Sequence, residues 1–437
     1  TYFLALSITT MVGVIADFGL TSVLVRDSAK RPEHEGKLLG NVLSTKIAFT
    51  ALAILVAVIM AHAFGYDILT RYIIYAACLV MVLDTVHLTL YGVLRARHTL
   101  RIESIGIFLG QLITLVVGVG SLLIEPNLLW LIVALFAGSS WNVGFIIWQL
   151  KKSGVSRIRF TWDTAFIKTL LKTSWPFALA AIFVKIYSTT DSLLLNAYLG
   201  AVHVGIYSVA YKLTYSFQFF PLAFIAALYP TLSAHVAQKR QDLVWQTFEH
   251  ATQYLILLAT PIVFGLWAIA DALIPAIYSD AYVDAVLPFR TLIFVLVLIF
   301  LDFPIGALLN ADDHQRLKTA IMGGTMIVNV VANIVLIPRF GVVGACMAAV
   351  IAFIFLYGAG LYALHALLHY DIKRVLRIVG PVLLCGVLMA LVVLLVKPLV
   401  GWITSIPIGA AVYVAGLLLT HAITIEQLKT IRARIFA

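Results

Sequence analysis

Residues 377–396, RIVGPVLLCGVLMALVVLLV, carry no charged side chain after Arg377. A helix needs about 20 mostly apolar residues to cross the hydrocarbon core of a bilayer. Within lipid, the backbone must satisfy its own hydrogen bonds, and a helix does so within one segment. This stretch therefore predicts a membrane-spanning helix.

The same pattern recurs along the whole chain of 437 residues, of which 62% are hydrophobic and 11% are charged. Soluble domains average about 45–50% apolar and about 25% charged residues. The composition excludes a soluble enzyme, a disordered chain and a nucleic-acid-binding domain, and it predicts an all-α polytopic membrane protein. The thirteen predicted spans are 1–25, 39–63, 72–94, 104–123, 128–150, 173–199, 203–231, 249–270, 288–311, 318–338, 342–368, 377–396 and 405–421.

Basic residues are distributed very unequally between the loops. When alternate loops are assigned to opposite sides of the membrane, 23 of the 30 lysines and arginines fall on one side and four on the other. Cytoplasmic loops carry an excess of basic residues. The distribution predicts a multi-pass protein of the cytoplasmic (inner) membrane with a cytoplasmic C-terminus. The remaining lysines, Lys46, Lys185 and Lys212, lie inside predicted spans.

An internal repeat relates the two halves of the chain. Aligning Tyr2 with Tyr207 matches span 1–25 to span 203–231, but only the later copy is preceded by another span. We therefore expect one further helix, on the order of 40 residues with its loop, before span 1–25, and fourteen spans in the full protein. The predicted domains are an N-lobe over 1–150, a cytoplasmic linker over 151–172, a C-lobe over 173–368, and a C-terminal helix pair with a cytoplasmic tail over 369–437.

Two motifs stand out in the second half. The first combines residues 176–179 (PFAL) with 205–213 (GIYSVAYKL), and the second is 329–345 (NVVANIVLIPRFGVVGA). Together with residues 16–20 (ADFGL), they resemble the polysaccharide transporter family of the multidrug/oligosaccharidyl-lipid/polysaccharide exporter superfamily. The resemblance implies two pseudo-symmetric six-helix lobes in a V, followed by two C-terminal helices.

The same resemblance implies a function. Relatives flip isoprenoid-pyrophosphate-linked oligosaccharides, such as O-antigen units, between leaflets by alternating access during surface polysaccharide biosynthesis. The implied partners are the lipid-linked oligosaccharide, membrane lipid and a polysaccharide polymerase or glycosyltransferases, with no nucleic acid. We expect a monomer without cofactor or metal, and the resemblance leaves open coupling to H⁺ or Na⁺.

Cations inside the spans are the first candidates for binding an anionic headgroup, because ionisable residues there cost roughly 2.5–3.5 kcal/mol each on insertion scales. Lys185 lies 13 residues after Lys172, about 20 Å along a helix, where it contacts the headgroup or is neutralised by a carboxylate. Lys212 either contacts substrate or pairs with Asp191, which is itself a candidate for ion coupling. Lys46 contacts substrate, pairs with an acid, or extends towards the membrane surface.

Other ionisable residues are candidates for ion coupling. Asp17 lies at a shallow depth and either couples an ion or pairs with Lys46. Asp84 and His87 share a helix face at i,i+3 and form either a proton relay or a structural hydrogen-bonded pair. Asp302 lies two residues before a proline, where we expect a kinked helix.

An aromatic stripe is the last candidate for substrate binding. Tyr207, Tyr211 and Tyr215 recur at i,i+4,i+8 and either stack on sugar rings or pack between helices. The nucleotide-binding GxxxxGK[ST] motif does not occur, and we expect no enzyme. An integral-membrane enzyme would need a large polar loop with paired acids, whereas loop 151–172 carries one acid, Asp163. The alternative function is a cation-coupled multidrug antiporter of the same superfamily.

Overall fold

The structure is a computed structural model that describes residues 2–30, 35–97, 99–125, 127–152, 160–312, 314–420 and 422. These residues form α-helices with two short 3-10 helices, and within the described ranges there is no strand. The predicted all-α fold class is therefore confirmed. The helices are α1 Tyr2–Asp17, α2 Leu20–Lys30, α3 Glu35–Ala63, α4 Ile68–Ala96, α5 Leu100–Ile124, α6 Leu128–Lys152, α7 Thr164–Leu199, α8 Ala201–Tyr215, α9 Phe219–Ala237, α10 Gln241–Tyr278, α11 Val286–Leu292, α12 Val295–Ala311, α13 Gln315–Leu368, α14 Ile372–Val400 and α15 Trp402–Leu419.

Nine helical segments in the described part of the chain are long and apolar enough to cross a membrane. The count is ten if α1 and α2, which meet at a 45° bend, form one span. The thirteen predicted spans are consistent with these helices, because α13 contains two of them and α7 and the α8–α9 pair each cover one more. The exact number of spans stays a prediction.

Several breaks between helices occur at residues with positive φ. Gly341 (φ 59°, ψ −133°) divides α13 into two helices, so the predicted spans 318–338 and 342–368 meet almost without a loop. Phe18 (φ 44°) and Gly19 (φ 70°) separate α1 from α2. Glycine adopts positive φ readily, whereas a side chain such as that of Phe18 does so only at a cost.

The chain divides into two compact units within α7, between Leu193 and Leu194. The sequence instead places the lobe boundary in the linker 151–172. Residues 153–159 of that linker and residues 423–437 of the predicted tail lie outside the described residues. The predicted lobe boundaries therefore stay a prediction.

Unit 1 is built around α4, which packs against α1, α2, α3 and α6, while α5 packs against α6. Its core joins α2, α3, α4 and α6 to the beginning of α7. Leu24, Leu39, Tyr91 and Ile146 are fully buried there, and Leu170 of α7 belongs to the same core. The first turns of α7 are thus held by unit 1.

Asp163 fixes the start of α7. Its carboxylate accepts a hydrogen bond from the Phe166 backbone N at 3.1 Å, which caps the helix. It also pairs with Lys37 of α3 at 2.9 Å, and its backbone N donates to Asn41 Oδ1 at 2.8 Å. The bond from Lys37 lowers the pKa of Asp163 below its ordinary value.

In unit 2, α10 packs against α12 and α14, and α14 packs against α15. At one end of this group, the Asp271 carboxylate accepts from Lys397 Nζ at 2.7 and 2.8 Å. It also accepts from Arg290 Nη2 at 3.0 Å. This cluster ties the C-terminal helix pair to α10 and α11.

Candidate functional site

Unit 1 contains a cavity of about 640 Å³ lined by α1, α4, α5, α6 and α7. Hydroxyl, amide, carboxylate, imidazole and ammonium groups all reach its wall. Ionisable groups inside membrane helices are costly, and they mark pathways for substrates or ions. The polar and ionisable lining residues are Thr9, Thr10, Asp17, Asp84, His87, Gln111, Thr114, Ser139, Asn142 and Lys185.

The wall between α5 and α6 depends on glycine. A Cβ atom at Gly138 would lie 2.7 Å from the carbonyl oxygen of Gly110, which is too close for any side chain. Small residues allow membrane helices to approach each other closely. The two helices can therefore present Ser139 and Asn142 to the cavity from a fixed position.

Asp84 is the exposed carboxylate on the α4 side of the cavity. Ser139 Oγ donates to Asp84 Oδ1 at 2.6 Å, and His87 Nδ1 lies 3.6 Å from the same oxygen. The side chain of Asp84 is 44% exposed, whereas that of His87 is 9% exposed. The structure thus brings the predicted pair together, and Asp84 is the member that an ion from the cavity can reach.

Lys185 lies on the α7 side of the same cavity. In the described part of the chain, no carboxylate oxygen lies within 4 Å of its ammonium group. A cation in this environment requires compensation by water or by an anionic ligand. Lys185 is therefore the group best suited to attract a negative charge into the cavity.

Lys46 has a very different environment. Its ammonium group donates to Asp17 Oδ1, to Thr21 Oγ1 at 2.8 Å and to Thr89 Oγ1 at 2.6 Å. Three bonds use all the donors of an ammonium group. Lys46 is 3% exposed, and the Asp17–Lys46 pair as a whole carries no net charge.

Unit 2 contains its own lysine–aspartate pair, in which both side chains are largely buried. Lys318 Nζ, at the start of α13, donates to both carboxylate oxygens of Asp302 at 2.8 Å. Their side chains are 7% and 16% exposed. Lys318 was not predicted as a site residue, because its position at the very start of span 318–338 places it among the basic residues of the loops. The signal that identifies it is the short turn between α12 and α13, which lets a long side chain reach back to Asp302.

The α8 tyrosines form a ladder, but they are not equally accessible. The rings of Tyr207 and Tyr211 lie 5.9 Å apart, and those of Tyr211 and Tyr215 stack at 4.4 Å. Tyr207 is 1% exposed, so only the other two offer ring surface in this conformation. The neighbouring Lys212 is exposed.

Asp191 and Lys212 lie on either side of the division between the units. Asp191 is buried, with 3% exposure. Its predicted pairing with Lys212 stays a prediction. Among the described residues, no group of three or more His, Cys, Asp or Glu side chains is placed to hold a metal ion.

Comparisons with known proteins agree with this architecture. Residues 1–236 match the family model described as polysaccharide biosynthesis protein, and residues 176–335 match the MatE model. The probable low-salt glycan biosynthesis flippase Agl15 of Haloferax volcanii is 25% identical over 357 residues, which cover 80% of this chain and 73% of that protein.

Two solved structures share the fold. The lipid II flippase MurJ in an inward closed conformation superposes with a TM-score of 0.70 at 16% identity, over 95% of each chain. An inward-facing multidrug resistance MATE family transporter of the MOP superfamily gives 0.68 at 15% identity, over 85% of this chain and 95% of that one. At these identities the likeness establishes the fold alone. Since one family model matches more than half of the sequence, the resemblance predicted from the motifs is confirmed, and this multi-pass membrane protein belongs to the polysaccharide biosynthesis protein family.

Proposed function

We propose that this protein is a flippase that moves an isoprenoid-pyrophosphate-linked oligosaccharide across the cytoplasmic membrane by alternating access. Its family and the relative from Haloferax volcanii, a probable flippase of glycan biosynthesis, support the proposal. The protein would act as a monomer with a cytoplasmic C-terminus, make no covalent change to its substrate, and work beside the enzymes that build or polymerise the glycan.

The observation that carries the proposal is the Lys185 ammonium on the wall of the polar cavity. A pyrophosphate headgroup needs a cation that protein carboxylates have not already neutralised. Lys185 meets this requirement within the described residues, whereas Lys46 does not, because it donates to Asp17. Hydroxyl and amide groups such as Thr10 and Gln111 would bind sugar hydroxyls. In unit 2, Tyr211, Tyr215 and Lys212 are separate candidates for contacts with the glycan.

Asp84 is the site we assign to ion coupling, with either H⁺ or Na⁺ as the ion. It is partly exposed to the cavity and has one hydroxyl partner, Ser139. Asp17 and Asp302 each accept a hydrogen bond from a lysine ammonium group. An ion would therefore first have to displace that lysine. Binding of a cation at Asp84 would change the charge opposite Lys185 and so alter the affinity of the cavity for an anion.

The direct test is leaflet-to-leaflet movement of an isoprenoid-pyrophosphate-linked oligosaccharide in proteoliposomes. We expect movement above that of empty liposomes, and its loss in Lys185→Ala at equal protein content. Movement no faster than in empty liposomes, with the protein folded, would contradict the flippase assignment. Equal rates in Lys185→Ala and the wild type would contradict the role of the lysine alone.

The second candidate function is a cation-coupled multidrug antiporter. The match of residues 176–335 to the MatE model favours it, as do the carboxylates of Asp17 and Asp84 on the cavity wall. This function predicts efflux of organic cations from the same proteoliposomes, with Asp84→Asn as the damaging variant and Lys185→Ala as a mild one.

A further inference from the structure

A second cavity of unit 1, of about 500 Å³, lies between α3, α4 and α6 and is also lined by Phe160. Ile47 and Ala51 of α3 are exposed, so the cavity is a groove in the outer surface of the helix bundle. The Lys46 ammonium on its wall donates to Asp17 and two threonines and adds no free charge. The apolar lining residues are Leu43, Ile47, Ala51, Ile54, Val82, Val86, Leu90, Ile147 and Phe160.

The groove extends towards the membrane surface that the basic loops assign to the cytoplasm. Its α4 residues lie six to fourteen positions before Ala96, where α4 ends, which is about 9–21 Å along the helix. Phe160 on the groove wall is 64% exposed, and Trp162, two positions later in the chain, is 61% exposed. Aromatic side chains are enriched at the level of lipid headgroups.

Two lysines lie at that end of the groove. Lys151 follows Ile147 by one helical turn and therefore lies on the same face of α6. Lys151 and Lys152 are both exposed, and within the described ranges neither ammonium has a carboxylate oxygen within 4 Å. Lys152 Nζ lies 5.5 Å from the centre of the Trp148 ring. An apolar groove thus ends near two lysines that no carboxylate of the described residues neutralises.

We propose that this groove binds an anionic phospholipid of the cytoplasmic leaflet. One hydrocarbon chain fills the groove, and the phosphate lies at Lys151 and Lys152. The arrangement matches an amphiphile with one negative headgroup. The lining is mostly apolar, with Lys46, Thr50 and Thr85 as its polar members, and the two lysines offer the phosphate charged partners. The bound lipid bridges the end of α6 and Phe160, and it would stabilise the segment that leads into α7.

Native mass spectrometry of the purified protein tests whether the lipid phosphate binds at these two lysines. The binding of phosphatidylglycerol is compared with that of phosphatidylcholine carrying the same acyl chains. We expect Lys151→Gln with Lys152→Gln to weaken phosphatidylglycerol binding about thirtyfold, since each lysine near an anionic surface contributes about a fivefold gain. The matched control is Lys168→Gln with Lys172→Gln, two exposed lysines of α7, which should change binding less than threefold.

Filling the groove with a larger side chain tests whether a hydrocarbon chain of the lipid binds there. Ala51→Phe places a ring among the lining residues and should remove phosphatidylglycerol binding. Ala48→Phe, also exposed on α3 but outside the groove, should not. Equal binding in both members of either matched pair would overturn the proposal. Polyprenyl phosphate that displaces phosphatidylglycerol and is itself lost in Ala51→Phe would also overturn it, by making the groove a site for the substrate tail. Neither readout depends on transport.

Discussion

Lys46 and Lys185 both lie inside helices of unit 1, yet their surroundings are opposite. Lys46 is buried and donates to a carboxylate and two hydroxyls. Lys185 lines a cavity of about 640 Å³ and has no carboxylate oxygen within 4 Å among the described residues. The charge of Lys46 is balanced by a carboxylate of the protein. The charge of Lys185 requires a ligand or water.

The difference shows how to separate structural from functional cations in a membrane bundle. Depth in the bilayer alone identifies both lysines as costly. What distinguishes them is whether a neighbouring helix supplies the opposite charge. Removing a cation of the first kind should mainly reduce stability, whereas removing one of the second kind should mainly reduce transport.

The largest expected effect is on stability, in Lys46→Ala. This change leaves the Asp17 carboxylate without its ion-pair partner. Removing one partner of a fully buried pair costs about 3–5 kcal/mol, and because the Asp17 side chain is 38% exposed, we expect a loss below that range. The free energy of unfolding in detergent measures this loss. Lys46→Met combined with Asp17→Asn removes both charges and should recover most of the stability. If Lys46→Ala were as stable as the wild type, Lys46 would not be a structural cation, and its distinction from Lys185 would be contradicted.

The next effect is on transport, in Lys185→Ala. We expect the flipping rate per inserted protein to fall at least tenfold, which corresponds to about 1.4 kcal/mol, while the unfolding free energy stays close to that of the wild type. The charge-neutral Asp17→Asn, Lys46→Met protein is the matched control and should transport better than Lys185→Ala. Lys185→Arg keeps the charge with a different reach and should retain part of the activity. A loss of stability in Lys185→Ala as large as in Lys46→Ala would contradict the proposed distinction.

Much of the fold was predictable from the sequence, because a membrane span is set by the length and apolarity of one segment. The described helices are consistent with the thirteen predicted spans, including the pair that meets at Gly341, although the exact number stays a prediction. The meeting of Asp84 with His87 was also predictable, since i,i+3 spacing places both on one helix face.

Contacts between helices were harder to predict. The position of Lys318 along the chain indicates a loop residue, because position alone does not show how far a long side chain reaches. It lies 16 positions after Asp302 and reaches it across the turn between α12 and α13. Ser139 comes from α6 to bond Asp84 on α4, and that partnership depends on the close packing of the bundle.

A smaller effect is expected from Ser139→Ala, which removes the hydrogen bond to the cavity carboxylate Asp84. Side-chain hydrogen bonds between membrane helices contribute about 0.6 kcal/mol on average, and we expect a stability loss of that order. Ser140→Ala, at the next position of α6, serves as the control. If Asp84 couples an ion, Ser139→Ala should also shift the ion concentration at which transport is half-maximal. The double variant Lys46→Met, Asp17→Asn should not change this ion dependence. Identical stability and ion dependence in the two serine variants would argue against Asp84 as the coupling site.

The smallest effect concerns Asp163, which attaches the start of α7 to α3 within unit 1. Asp163 caps α7 and pairs with Lys37, and the pKa of Asp163 in the folded protein lies below its ordinary value of 3.8. The carboxylate therefore stabilises this attachment above that value, and the contribution is lost as the pH falls through the lowered pKa. Amide hydrogen exchange at the start of α7, corrected for the intrinsic rate, should accelerate in this acid range.

Asp163→Asn keeps a capping side chain but removes the ion pair, so it should show faster exchange at neutral pH and a weaker acid response. Asp67→Asn is the matched control, because Asp67 caps α4 through the Thr70 backbone N at 3.2 Å and also has a lowered pKa. An acid response at α7 that is the same in both variants would assign the attachment to the apolar core around Leu170 rather than to this ion pair.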